Sequence, residues 1–373
     1  MNETLQELMR TATRLTQSGR LNEATEAIQR ALRGTTVADA GPIVVPEIVI
    51  PKASPLVLDG GVFEVDARKP VAPGSGIEAF ISGTHTHASL TRRFKLYIPP
   101  GHVGQSLPLV VMLHGCTQDP DDFAAGTAMN ERAREQGFFV LYPEQSQEAN
   151  PSRCWNWFKH NHQQRGRGEP ALLASMTQAV MKQHGMDARR VFVAGLSAGG
   201  AMAAIVAAAY PDIFAAVGVH SGLPSGSASN VAEALVVMKS GNVGFVVPAK
   251  SGRPGAAAKA PLQPQIPIPT IVFHGDQDQT VHPRNGEQVI AAAQSGASST
   301  RVEQGVSAQG RRYTRSTQHG DKGQALTEHW LVHGAGHAWS GGHAKGSYTD
   351  ATGPDATLEM LRFFFDHPQG LAH

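Results

Sequence analysis

From about residue 76 onward two kinds of hydrophobic patterning alternate along the chain. Short apolar runs bounded by Gly and Pro, such as PLVVMLHG over 108–115 and RVFVAG over 190–195, carry no polar alternation. Such runs suit strands buried on both faces. They predict strands over 77–82, 92–98, 108–114, 138–142, 190–195, 215–220, 269–274 and 326–333. Between them, apolar positions at helical spacing predict helices near 121–136, 170–184, 198–209, 284–294 and 355–366. Strand–helix alternation of this kind predicts an α/β class, a mostly parallel sheet with helices on both faces. Residues 221–268, rich in Ser, Gly, Pro and Ala, interrupt the rhythm and read as a long insert over the site.

The first 75 residues have a different texture. Leu5, Leu8, Met9, Ala12 and Leu15 recur at helical spacing, as do Leu21, Ala24, Ile28, Ala31 and Leu32, with Ser18-Gly19 between. This predicts a helical hairpin over 1–33. Two helices this short cannot bury their apolar faces alone, so the hairpin needs the main domain, a second copy in a homodimer, or a particle surface to dock on. Residues 34–75, with Pro42, Pro46, Pro51, Pro55, Pro70 and Pro73, read as a Pro-rich linker. The catalytic domain is then expected over 76–373.

Composition narrows the partners. Thirty-two Lys+Arg against 31 Asp+Glu give a formal net charge of +1, which removes the electrostatic case for nucleic acid. The longest apolar stretch, Ala201 to Tyr210, is too short to span a bilayer. The N-terminus MNETLQELMRTATRLTQSGR lacks the pattern of a secretory signal, so cytoplasmic residence is the expectation.

Chemistry concentrates at four points. Gly195-Leu196-Ser197-Ala198-Gly199 sits between a predicted strand and an apolar helix, the setting in which G-x-S-x-G forms a tight turn presenting a nucleophilic serine. The N–H of Ala198 then points where an oxyanion would form. A serine hydroxyl needs a base, and an acid and a histidine should follow in that order. The predicted strand PTIVF runs into His274-Gly275-Asp276-Gln277-Asp278, where Asp276 and Asp278 both qualify and position does not choose between them. His337, in a glycine-rich loop after the last predicted strand, stands where the base belongs, with His333 and His343 as competitors. Their H-x3-H-x5-H spacing lacks the single helical face of a zincin motif, so no metal is expected. After PLVVML, the loop His114-Gly115-Cys116 offers the N–H of Cys116 as second oxyanion donor. Trp155, Trp157 and Trp339 either line an apolar substrate groove or belong to the core. His160 and His162 read as part of an exposed polar loop.

The combination LHGCTQ, CWNWF, GLSAGGAM, HSGLPSGSAS, PTIVFHGDQDQTVHP and GAGHAWSGG resembles the polyhydroxybutyrate depolymerase family of α/β-hydrolase esterases, over about residues 90–366. The resemblance implies an α/β-hydrolase fold and cofactor-free ester hydrolysis by a serine esterase. The family pattern H-G-x-x-D-x-x-V places its acid at Asp278, beside Ser197 and His337. An intracellular depolymerase acting on poly(3-hydroxybutyrate), with 1–75 assisting contact with a granule surface, is the leading expectation. A feruloyl or acetylxylan esterase on small esters is the alternative, and a non-catalytic granule-binding protein the alternative of another class. Cys116 and Cys154 are expected as free thiols in a cytoplasmic protein, while the resemblance raises a disulfide between them as the other state.

Overall fold

The computed structural model describes residues 76–241, 268–293 and 296–370. The predicted hairpin and linker lie outside them, as does most of the insert. Ten strands form one sheet: β1 (Ala79–His87), β2 (Leu90–Ile98), β3 (Leu109–Leu113), β4 (Phe139–Pro143), β5 (Val191–Leu196), β6 (Ala216–His220), β7 (Thr270–Gly275), β8 (Ala297–Val306), β9 (Arg312–Gly320) and β10 (Ala325–Val332). Their order is β1-β2-β4-β3-β5-β6-β7-β10-β9-β8. The six central strands, β4 to β10 in that order, run parallel, and antiparallel strands flank them on both edges.

Helices cover both faces: α1 (Pro120–Thr127), α2 (Met129–Gln136), α3 (Gly168–His184), α4 (Ala198–Ala209), α5 (Val231–Ser240), α6 (Arg284–Ala293) and α7 (Ala356–Phe365). The pleat divides each central strand between two cores. Val111 and Leu113 pack with Leu173 and Ile205 of α3 and α4, whereas Val110 and Met112 pack with Phe123, Met129 and Phe364 of α1, α2 and α7. Every residue of β3 to β7 is buried, which is why the sequence shows them as unbroken apolar runs. Among the described residues, no helix is long and apolar enough to cross a membrane.

Three features differ from the sequence expectation. The helix expected over 121–136 is two, broken at Ala128 in the left-handed region with φ 52°. The Thr127 carbonyl, which a continuous helix would use, accepts instead from Thr357 Oγ1 at 2.7 Å. The insert begins with α5, capped by Asn230 and closed by Gly241 in the left-handed conformation. The hairpin β8–β9 was not anticipated: its strand β8 is exposed almost throughout and offers no apolar alternation.

Candidate active site

Because β3, β5, β7 and β10 are parallel, the loops leaving their C-terminal ends gather at one edge of the sheet. At the end of β5 the chain turns so sharply that Ser197 takes φ 57° and ψ −119°. Neighbouring side chains would obstruct this turn. A Cβ on Gly195 would stand 2.4 Å from the Gly199 carbonyl carbon, and one on Gly199 only 2.0 Å from the Leu113 oxygen. Ala198 begins α4, so its N–H belongs to the first turn, where backbone donors lack helical partners.

Past β7, Asp278 is buried with its carboxylate fully engaged. Oδ1 accepts from the backbone N–H of Thr280 and Val281, both at 2.9 Å. Oδ2 lies 2.7 Å from His337 Nδ1 and 3.4 Å from Nε2 of the buried His274. Burial alone would raise this carboxyl's pKa, but the hydrogen bonds and charge of His274 and His337 hold it well below the ordinary range. An ionised Asp278 therefore fixes the imidazole of His337 as an Nδ1–H donor, leaving Nε2 as the free base position.

Asp276 engages the other histidine. Its Oδ2 lies 2.9 Å from His333 Nδ1, and its Oδ1 accepts from the Gly334 N–H at 2.7 Å. His333 Nε2 lies 2.9 Å from Thr314 Oγ1, so both of its ring nitrogens are occupied away from Ser197. His343 instead accepts from the Lys345 N–H through Nδ1 at 3.1 Å. The three histidines read as competitors thus have separate partners, and His337 is the one that shares a cavity with Ser197.

The loop after β3 is held on several sides. Cys116 and Cys154 form a disulfide, the second of the two states considered for them. His114, buried and neutral with its pKa pushed down to about 4 by burial, hydrogen-bonds the Gly115 carbonyl through Nδ1 at 2.7 Å. Its Nε2 accepts from the Gln145 N–H at 3.1 Å. Behind it the buried Glu169 accepts from Gln145 Nε2 at 2.6 Å, and from the N–H and Nδ2 of Asn156, each at 2.7 Å. This network fixes the Cys154–Trp157 segment against the loop after β3. His162 is part of its surroundings and is a correction to the exposed-loop expectation: it is buried, with Nδ1 3.4 Å from Glu169 Oε2.

Ser197, Ala198, Cys116 and His337 open onto one cavity of about 370 Å³. Of the three tryptophans considered for substrate contact, Trp157 lines it. Trp155 and Trp339 do not, and the substrate-groove reading is corrected for both: their exposures are 0% and 1%. Trp155 Nε1 donates to the His114 carbonyl at 3.1 Å and Trp339 Nε1 to Thr357 Oγ1 at 3.0 Å, so burial leaves neither polar group unpaired. Sequence reading placed the insert over the site but missed the helix in it, whose Val231, Ala234, Leu235 and Met238 form the opposite wall. The signal was present: Asn230 and Glu233 flank the start of an apolar run that ends at Gly241. Tyr348 was also missed; it stands at the rim, edge-on to His337, with its hydroxyl 3.2 Å from Thr117 Oγ1.

Comparison with known proteins agrees with this architecture. Poly(3-hydroxyalkanoate) depolymerase C of Paucimonas lemoignei is 33% identical over 213 residues, 56% of this chain and 49% of that protein. Acetylxylan esterase A of Talaromyces purpureogenus is 30% identical over 233 residues, 59% of this chain and 56% of that one. The chain thus spans about half the length of these curated relatives. Among solved structures, an acetyl xylan esterase from Aspergillus awamori superposes with a TM-score of 0.54 at 18% identity, covering 77% of this chain and 99% of that one, a likeness of fold. The family model described as Esterase PHB depolymerase matches residues 92–319, well over half of the sequence, and the chain belongs to that family.

Proposed function

We propose that the protein is a serine carboxylic-ester hydrolase, and that its substrate is poly(3-hydroxybutyrate) or its oligomers. The observation carrying the reaction class is the Asp278–His337 pair, closed at 2.7 Å and opening onto the cavity that holds Ser197. In this reading His337 Nε2 takes the Ser197 proton as Oγ attacks the ester carbonyl, and Asp278 stabilises the imidazolium. The N–H groups of Cys116 and Ala198 receive the oxyanion. The imidazolium then protonates the departing alkoxide, and the same nitrogen activates the water that releases the acid.

The lining of the cavity supports an uncharged, methyl-bearing substrate. Trp157, Phe158, Leu223, Leu235 and Met238 present apolar surface, and no Asp, Glu, Lys or Arg is among the described lining residues. The depolymerase relative points the same way, through its printed name. A second reading, deacetylation of a polysaccharide, is favoured by the acetylxylan esterase relatives and by Thr117, Asn150 and Tyr348 at the rim, which can bind sugar hydroxyls. The intracellular setting expected from the sequence has one feature against it, since disulfides such as Cys116–Cys154 persist mainly in oxidising compartments.

The test offers amorphous poly(3-hydroxybutyrate) dispersions and acetylated xylan side by side. Release of 3-hydroxybutyrate units, absent in Ser197→Ala, is the expected result. Acetate release from xylan with no attack on the polyester would replace the first reading with the second.

A further inference from the structure

The residue that ends β6 contacts both catalytic loops, yet it takes no part in the chemistry above. The carbonyl of His220 accepts the N–H of Ser197 at 2.9 Å. Its side chain reaches the other way: Nε2 accepts the N–H of Ser340 at 2.9 Å, three residues beyond His337. The ring is buried and stacks on Phe273 of β7, with centroids 5.8 Å apart, and on Trp339, with centroids 5.0 Å apart. Nδ1 lies 3.3 Å from Ser221 Oγ. An imidazole that accepts at Nε2 must carry its proton on Nδ1, and that proton faces the serine oxygen.

We propose that His220 is a positioning residue: one neutral imidazole fixes the loop of the base to the turn of the nucleophile. The proposal rests on the reading of Ser197 and His337 given above. The nucleophile turn hangs on the backbone of His220 and the base loop on its side chain, so one residue sets their separation. Trp339, two residues after His337, closes the ring from the loop side, which gives its burial a purpose other than substrate contact. Protonation would turn Nε2 into a donor facing another donor, so the arrangement needs a histidine that stays neutral. Burial and the neighbouring charges of His274 and His337 supply this by pushing its pKa well below an ordinary histidine's.

Two substitutions and one spectrum test the idea. His220→Phe keeps a ring for the stack but removes the acceptor, and it should lower kcat by up to ~10²-fold with KM little changed, the scale expected of a misplacement of about 1 Å. His220→Gln, whose amide oxygen reaches the place of Nε2, should recover most of that loss. A merely structural histidine would give a change in melting temperature with no kcat-specific loss and no preference for Gln. Equal kcat in the folded Phe variant and the parent overturns the proposal. ¹⁵N imidazole spectra of the unaltered protein decide the matter even where variants fail to fold. They should show an unprotonated Nε2 and protonated Nδ1 for His220 from pH 5 to 8, and the opposite tautomer or a titration in that range would sink the proposal. Full ester hydrolysis by Ser197→Ala would instead remove the reading on which it rests, and would leave the spectrum unaffected.

Discussion

Two Asp–His pairs stand side by side at the C-terminal edge of this sheet, two residues apart on one loop and four apart on the next. Asp278–His337 closes at 2.7 Å and Asp276–His333 at 2.9 Å; Asp278 also accepts two backbone N–H groups and Asp276 one. They differ in what the far nitrogen of the histidine meets. For His333 it is Thr314, a residue of β9; for His337 it is the cavity shared with Ser197. They differ too in burial, since the Asp278 side chain is sealed while that of Asp276 keeps 29% of its exposure. A histidine hydrogen-bonded to an aspartate is therefore no mark of catalysis by itself. The pair at Asp276 ties the loop containing His337 back to β7 and is a structural copy of the pair proposed for the chemistry.

The widest separation between the two should appear in turnover. Asp278→Asn leaves His337 without the acceptor that fixes its tautomer, and kcat should drop by ~10⁴-fold with the fold retained. Asp276→Asn should cost less than about tenfold, because the same loss strikes a histidine outside the cavity, and its main cost should be about 1–2 kcal/mol of stability. Steady-state kinetics on p-nitrophenyl butyrate, beside urea melts of both variants, checks this. Comparable kinetic losses in the two would mean that the assignment of acid and brace is wrong.

Reduction of the Cys116–Cys154 disulfide tests the opposite lip of the cleft and leaves both Asp–His pairs intact. The bridge spans 38 residues of sequence, and losing it should cost about 2–4 kcal/mol. Turnover at saturating substrate should fall as the donor at Cys116 loosens, while labelling of Ser197 by a phosphonate continues. Thiol titration of denatured protein isolated from its native cells, with and without reductant, settles which state the two cysteines hold there. Two free thiols without reductant would favour the cytoplasmic expectation, and none would count against it.

How far the sequence revealed these regions follows from what burial does to composition. The central strands were legible because burial on both faces leaves only apolar residues, and the serine turn because Gly195 and Gly199 are obligatory there. Hairpin β8–β9 was illegible because an exposed strand carries no such constraint. The choice between Asp276 and Asp278 could not be made from position, since both follow the same strand and both find a histidine; family resemblance made it. The tryptophans were ambiguous for a related reason: Trp155 and Trp157 are neighbours in one motif, and only packing sends the first into the core and the second to the cavity. His220 opens the motif HSGLPSGSAS, yet the sequence showed nothing of what it touches, because its contacts are with Ser197 and Ser340, 23 residues before it and 120 after.

Acid provides the smallest but most direct contrast between the pairs. For Asp276, burial would raise the carboxyl's pKa, yet the hydrogen bonds from His333 and the Gly334 N–H hold it below the ordinary value; Asp278 is lowered as well, by two imidazoles. A carboxyl lowered on folding stabilises the native state fully above its unfolded pKa of about 3.9, and that contribution drains away as pH falls through the folded value. Both shares are thus complete at neutral pH and are lost only in acid, that of Asp276 before that of Asp278, whose partners hold it more firmly. Each group contributes at most about 1.4 kcal/mol per pH unit to the slope of stability. Asp276→Asn should start from a lower stability at pH 7 and fall less steeply below about pH 4, so that its profile converges on that of the parent. Urea denaturation at half-unit steps from pH 7 to 2.5 reads this directly. Profiles that stay parallel down to pH 2.5 would show that the Asp276 carboxylate is not held by His333 in the folded protein, and the second pair would lose its standing as a brace.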